Sequence, residues 1–158
     1  MTEAGVLRPD GRRLGVRFER TYAAPIDEVW DALTSPERLA RWLAPGRIDE
    51  VVELDFGDGG MVTGKVLQLR EPSLLEFEWH FADETESVVR FELSADGEET
   101  RVVLDHRALD ARHAPGYAAG WHAHLDGLRD EVGGGSGSWD ERFRAVLPLY
   151  QEQERTLR

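Results

Sequence analysis

The stretch GGMVTGKV, Gly59 to Val66, satisfies G-x-x-x-x-G-K, the phosphate-cradling signature of nucleotide-binding loops, at every position but the last. That position should be Ser or Thr, whose hydroxyl reaches Mg²⁺. Here it is Val66. The signature also needs a helix directly behind it, so that helix N–H groups face the phosphates. Instead the chain continues as VLQLREPSLLEFEW, which alternates and turns like a hairpin. Gly59-Gly60 therefore read as a turn, with Val62, Gly64 and Val66 on the inner face of a strand and Lys65 in water. The missing side chain of Gly64 leaves room for a helix or a ligand. Nucleotide chemistry is not expected.

The histidines come next. HAH, His122 to His124, invites a metal reading, but residues two apart on a helix differ by about 200° and point apart. No acidic ligand accompanies them at suitable spacing, so no metal site is expected. His124 lies between an apolar stripe and a glycine stripe of its helix, and His106 shares strand parity with Val102 and Leu104. Two inward histidines could orient a ligand's polar group or exchange a proton near neutral pH. The alternative is a pair of core histidines satisfied by a carbonyl or a tyrosine. Arg20 shares parity with Val16, Phe18 and Tyr22. Inward, its guanidinium needs an acidic partner or a ligand anion; on a twisted strand, its stem would carry it to solvent.

Other chemistries find little support. There is no cysteine and no G-x-S-x-G, and the serines fall in turns or linkers. Asp55 and Asp58 do not match a calcium loop. Nothing in the sequence demands catalysis, and no cofactor is implied. The net charge of −12 repels nucleic acid and anionic lipid. No apolar run approaches the roughly 18 residues of a membrane span. With no secretory signal at the start of the chain, a cytoplasmic home is the expectation.

These residues need elements to hold them. The 158 residues, 41% apolar and 32% charged, fit one domain. Residues 1–13 show no periodicity and read as a flexible arm. Val16 to Tyr22 alternate as a strand, and two short helices come after it, opened by Pro25 and Ser35-Pro36 and stopped by Pro45-Gly46. From Ile48 to His106 the period is two, and turn residues divide the run into five strands of an antiparallel meander. A helix over 114–132 carries Tyr117, Trp121, Leu125, Leu128 and Val132 in one stripe, with Gly116, Gly120, Ala123 and Gly127 beside it. Glycine in a helix costs about 0.8–1 kcal/mol against alanine, which suggests a strand or ligand close to this backbone. GGGSGS, 133–138, reads as a linker. Ser138-Trp139-Asp140-Glu141 is a capping box opening an appended helix over 139–158, which Pro148 should kink or end.

The run FERTYAAPIDEVWDALTSPERLARWLAP, the GG-x-x-x-G-x-V of Gly59 to Val66, the strand-ending His106 and the GW-x-x-x-L-x-x-L of Gly120 to Leu128 together resemble the START-like (SRPBCC) superfamily. They look closest to the branch homologous to the activator of the heat-shock protein 90 ATPase. The resemblance covers about residues 14–132, and the appended helix is similar to an extension of some bacterial members. It implies an α+β helix-grip fold: a curved six-stranded antiparallel sheet wrapped on a long C-terminal helix, enclosing a cavity. It does not imply one activity, since the superfamily spans lipid carriers, receptors, cyclases and chaperone regulators.

Trp42, Phe56, Phe77, Trp79, Phe91, Tyr117 and Trp121 have faces that converge between sheet and helix. With Arg20, His106 and His124 they are the candidate cavity residues. The leading expectation is binding of a small hydrophobic or aromatic ligand in that cavity. A protein-interaction module of the chaperone-regulator type is the second, and a cyclase- or hydrolase-like enzyme using the inward histidines is the third. Monomer or homodimer is left open.

Overall fold

A computed structural model describes residues 2–158. It contains strands β1 (Val6–Asp10) and β2 (Arg13–Tyr22), helices α1 (Ile26–Thr34) and α2 (Pro36–Trp42), then strands β3 (Gly46–Ile48), β4 (Val51–Asp55), β5 (Met61–Arg70), β6 (Leu74–Phe81), β7 (Ser87–Asp96) and β8 (Glu99–Leu109). Helices α3 (Ala114–Gly133) and α4 (Trp139–Thr156) complete the chain. All strands join one antiparallel sheet in the order β1-β2-β8-β7-β6-β5-β4-β3. After β2 the chain crosses through α1 and α2 to the far edge and meanders back until β8 closes against β2. The chain has the helix-grip fold.

The sheet has eight strands, not six. Both additions are edge strands. β1 lies inside the segment read as a flexible arm. Asp10-Gly11-Arg12-Arg13 forms a hairpin turn with Gly11 at φ 61°, and this turn lays Val6 to Asp10 along Arg13 to Arg17. A glycine with φ > 0 at the first of the two central positions, followed by a residue of ordinary φ, fits the type II′ turn, whose twist matches that of paired strands. β3 is only three residues long and pairs with β4.

Helix boundaries reflect local chemistry. Pro36 sits at the start of α2, where its missing N–H has no helical partner to lose. The Trp42 indole donates to the Ala32 carbonyl at 2.7 Å and locks α2 onto α1. Ser138 caps α4, its hydroxyl accepting from the Glu141 N–H at 3.2 Å. Pro148 does not end α4, which runs on to Thr156.

The core lies between the concave sheet face and α3. Phe18, Phe77, Phe91 and Leu104 meet Ala118, Trp121, Leu125 and Leu128, all buried. On a protein of this size such a core supplies the dominant favourable contribution to folding. Gly64 serves a different purpose from the one its inward face suggested. A Cβ there would lie 2.0 Å from the Glu78 carbonyl oxygen, so the neighbouring strand, not a helix or ligand, occupies the space. Beside it the Lys65 N–H turns to the Glu78 carboxylate at 3.0 Å.

The N-terminal residues are tied down by a directional chain of hydrogen bonds. Thr2 Oγ1 donates to Asp126 at 2.6 Å, so the contact at 2.9 Å with His122 Nε2 requires His122 to donate. The other ring nitrogen, Nδ1, must then accept from the Tyr150 hydroxyl at 2.8 Å, and that hydroxyl accepts from the Gly5 N–H at 2.7 Å. Segment 2–5, α3 and α4 thus share one buried network.

Candidate ligand-binding cavity

One end of the core is not filled. A cavity of about 1100 Å³ lies between the N-terminal half of α3, the ends of β4 and β6, the segment following α2, and the start of α4. β6 contributes Trp79 and Phe81, the turn directly after β4 contributes Phe56, α3 contributes Gly116, Tyr117, Gly120, Trp121 and His124, and α2 contributes Trp42. Two glycines of the α3 stripe explain part of the space. A Cβ on Gly116 would meet nothing within 4 Å, and one on Gly120 would meet only Trp139 at 3.7 Å. Gly127 meets neither the strand nor the ligand expected beside the stripe: the end of α2 packs there, with Trp42 3.5 Å from where its Cβ would be.

Trp79 is the aromatic hub. Its ring lies 6.0 Å from Phe56, 5.6 Å from Trp121 and, edge to face, 6.0 Å from Tyr117. Its indole N–H donates to the Tyr117 hydroxyl at 3.0 Å, and that hydroxyl donates to Glu84. Burial, reinforced by the Glu84 carboxylate, raises the Tyr117 pKa well above its ordinary value. Tyr117 therefore acts as a hydrogen-bond donor and not as a phenolate base.

His124 stands on the cavity wall. Its Nδ1 lies 3.0 Å from the Trp42 carbonyl oxygen, which can only accept, so Nδ1 carries the proton. Burial pushes its pKa down to about 4, opposed in part by that hydrogen bond. The ring is therefore neutral at pH 7.

Of the ten candidate residues, Trp42, Phe56, Trp79, Tyr117, Trp121 and His124 line this cavity, and four do not. Phe77 and Phe91 are completely buried deeper in the core. His106 is a core histidine: Nδ1 accepts from the Trp121 indole at 2.9 Å, which leaves Nε2–H to donate to Ser87 Oγ at 2.8 Å. Burial alone lowers its pKa to about 3. Arg20 is inward and buried, paired with Asp126 at 2.8 Å and with the Glu3 carbonyl at 3.1 Å, on the side of α3 where the N-terminal segment packs. Its partner is a carboxylate of the protein itself. The two histidines of HAH do diverge, His122 to Tyr150 and Thr2, His124 to Trp42 and the cavity.

Three lining aromatics fall outside the sequence candidates: Phe81 of β6 and the pair Trp139 and Phe143 of α4. Their rings stack at 4.9 Å, and Trp139 lies 5.3 Å from the His124 ring. The signal was the aromatic i, i+4 pair directly behind the capping box, which puts both rings on one helix face.

The family model for activator of Hsp90 ATPase homolog 1-like proteins matches residues 23–133. The chain belongs to this family. The match ends at Gly133, so α4 of this activator-homologue chain, with its two cavity aromatics, lies beyond the matched residues. Comparison with curated proteins gives no significant match. Among solved structures, the chain is similar to CalU16 from Micromonospora echinospora, at 25% identity over 96% of each chain and a TM-score of 0.78. It is also similar to the protein encoded by gene BPP1335 of Bordetella parapertussis, at 29% identity over 94% of this chain and 90% of that one, TM-score 0.76. DynU16, a protein of the dynemicin biosynthetic locus, aligns at 27% identity over 75% of this chain and 47% of that one, TM-score 0.69. Among the described residues, no helix of this family member is long and apolar enough to cross a membrane.

Proposed function

We propose that the protein binds a small hydrophobic or aromatic molecule in the cavity between sheet, α3 and α4. The observation that carries this reading is a concave space of about 1100 Å³, open to solvent on one side and bordered by Trp42, Phe56, Trp79, Trp121 and Trp139. Ligand sites are commonly concave, largely apolar spaces with a few placed polar groups, and this one has His124 and Tyr117. Gly116 and Gly120 support it, because a filled core would place side chains where these two leave none. The likeness to DynU16, from a biosynthetic locus, is in keeping with a role in handling a small organic molecule.

The reading as a chaperone regulator rests on the family description alone. Catalysis by a His106–His124 pair is disfavoured because His106 is locked between Ser87 and Trp121 and does not line the cavity. The test is native mass spectrometry of the freshly purified protein together with titration by naphthalene-sized aromatics. A co-purifying small molecule, or saturable 1:1 binding weakened by loss of Trp79, is the expected result. Absence of both would refute the reading.

A further inference from the structure

The cavity wall holds its polar groups in unequal states. The Tyr117 hydroxyl is already engaged twice, accepting from Trp79 and donating to Glu84. The His124 ring is engaged once, through Nδ1–H to the Trp42 carbonyl. A neutral imidazole with its proton on Nδ1 carries a lone pair on Nε2. Among the described residues that Nε2 has no hydrogen-bond partner, and it is not among the buried side-chain atoms sealed away from solvent. It opens on the cavity that the residue lines. No carboxylate of the described residues lies within ion-pair distance of the ring, so nothing draws a proton onto it.

Aromatic rings surround the imidazole: Trp139 at 5.3 Å, Trp121 at 5.8 Å and Phe56 at 6.1 Å from the His124 ring, centroid to centroid. A ligand seated among them and touching Nε2 meets an acceptor only. A hydroxyl or N–H on an aromatic ring satisfies it. A ketone or ether would set lone pair against lone pair, and a carboxylate would set a desolvated negative charge against that lone pair. Arg41 and Arg112, the cavity's arginines, are exposed at its rim.

We propose that His124 Nε2 is the specificity-determining acceptor of the cavity, selecting neutral aromatic ligands that carry a phenol-type hydroxyl or an equivalent N–H donor. This inference rests on the cavity reading above and adds to it the chemical class of the ligand. The neutral state that burial imposes on His124 is in accord with it.

The test uses the full chain and three two-ring probes of one shape: naphthalene, 2-naphthol and 2-naphthoate, titrated at pH 7.5. 2-Naphthol should bind about threefold to tenfold tighter than naphthalene, the range a net hydrogen bond gives. 2-Naphthoate should bind more weakly than either. In His124→Asn, whose amide still donates to the Trp42 carbonyl but has nothing at the Nε2 position, the ratio of 2-naphthol to naphthalene affinity should fall to one or below, whatever loss of imidazole contact does to both affinities together. A second readout needs no variant: the ¹⁵N resonance of His124 Nε2 should lie at the unprotonated end of its range and move on adding 2-naphthol but hardly on adding naphthalene. Equal affinity for naphthalene and 2-naphthol, an advantage surviving in His124→Asn, or an Nε2 resonance of the protonated type would each overturn the inference and leave the cavity reading standing. Failure of all three probes to bind would refute the cavity reading itself.

Discussion

Lowering the pH from 7 to 5 should strip this protein of much of its stability, and the buried histidines set the size of the loss. His106 is fully buried between Ser87 and Trp121, and its pKa falls from an ordinary 6.5 to about 3 because the imidazolium would have no water around it. The unfolded chain takes up a proton near pH 6.5, whereas the folded chain refuses it until about pH 3. Between those values the unfolded state binds more protons, so stability rises with pH and is lost as pH falls. One such group costs about 1.4 kcal/mol per pH unit below 6.5, or about 2 kcal/mol by pH 5. His122 and His124, both pushed down to about 4 chiefly by burial, act in the same direction. Three protons give a slope approaching about 4 kcal/mol per pH unit, against a total stability of about 5–15 kcal/mol for an ordinary domain. The assay is urea denaturation followed by far-ultraviolet circular dichroism at half-unit steps from pH 7.5 to 5. Asp126, which burial would raise but hydrogen bonds from Thr2 and Arg20 hold below the ordinary carboxylate range, titrates below that window. His106→Gln lowers the absolute stability but should reduce the slope by about 1.4 kcal/mol per pH unit. A stability that stays flat to within about 1 kcal/mol over this range, or a His106→Gln variant with an unchanged slope, would refute the reasoning.

Other perturbations separate the cavity from the scaffold. Trp139→Ala should lower the affinity for a two-ring aromatic about tenfold with little effect on the unfolding midpoint, since this indole is 39% exposed and borders the cavity; calorimetric titration and thermal melts check both halves. Tyr150→Phe leaves the Gly5 N–H and His122 Nδ1 without their partner and should cost about 1–3 kcal/mol, with faster amide exchange in residues 2–7. Gly116→Ala should raise helix stability by up to about 1 kcal/mol while narrowing the cavity, because a Cβ there meets nothing within 4 Å. Gly64→Ala should be severely destabilising, since its Cβ would lie 2.0 Å from a strand carbonyl; a wild-type denaturation curve would contradict that geometry.

The features legible in the sequence and those hidden in it divide along a physical line. Alternation in Leu75, Phe77, Trp79 and Phe81 reports which side of β6 faces inward, and all four do lie on the concave side. Alternation does not report position along the strand. Phe77 is sealed under α3, and Trp79, two residues further on, borders open space. Whether an inward aromatic is core or cavity wall depends on which residue of a distant helix lies over it, and here the glycines of α3 decide. The same holds for the histidines. Parity placed His106 inward correctly, but only the approach of Ser87 from β7 and Trp121 from α3 makes it a satisfied core residue instead of a ligand contact. β1 escaped notice because Val6 and Leu7 are too few to show a period; its one signal was Gly11, the first central residue of a two-residue hairpin turn whose second strand was already evident.

The appended helix changes what the cavity is. A flexible composition at 133–138 separates α4 from the family-matched residues, and an appendage behind such a linker is easily set aside as decoration. Yet α4 holds α3 from two sides. Its Tyr150 anchors His122 and Gly5 on one side, and its Trp139 and Phe143 stack beside His124 on the other. His122 and His124 are two residues apart on α3 and so face in opposite directions, which is why one helix can both fasten the N-terminal segment and wall the cavity. A ligand that orders Trp139 should therefore tighten the Tyr150 network as well, because both residues belong to one helix, which continues through Pro148. The wall of this cavity is then a property of the whole chain, including residues beyond those that define the family.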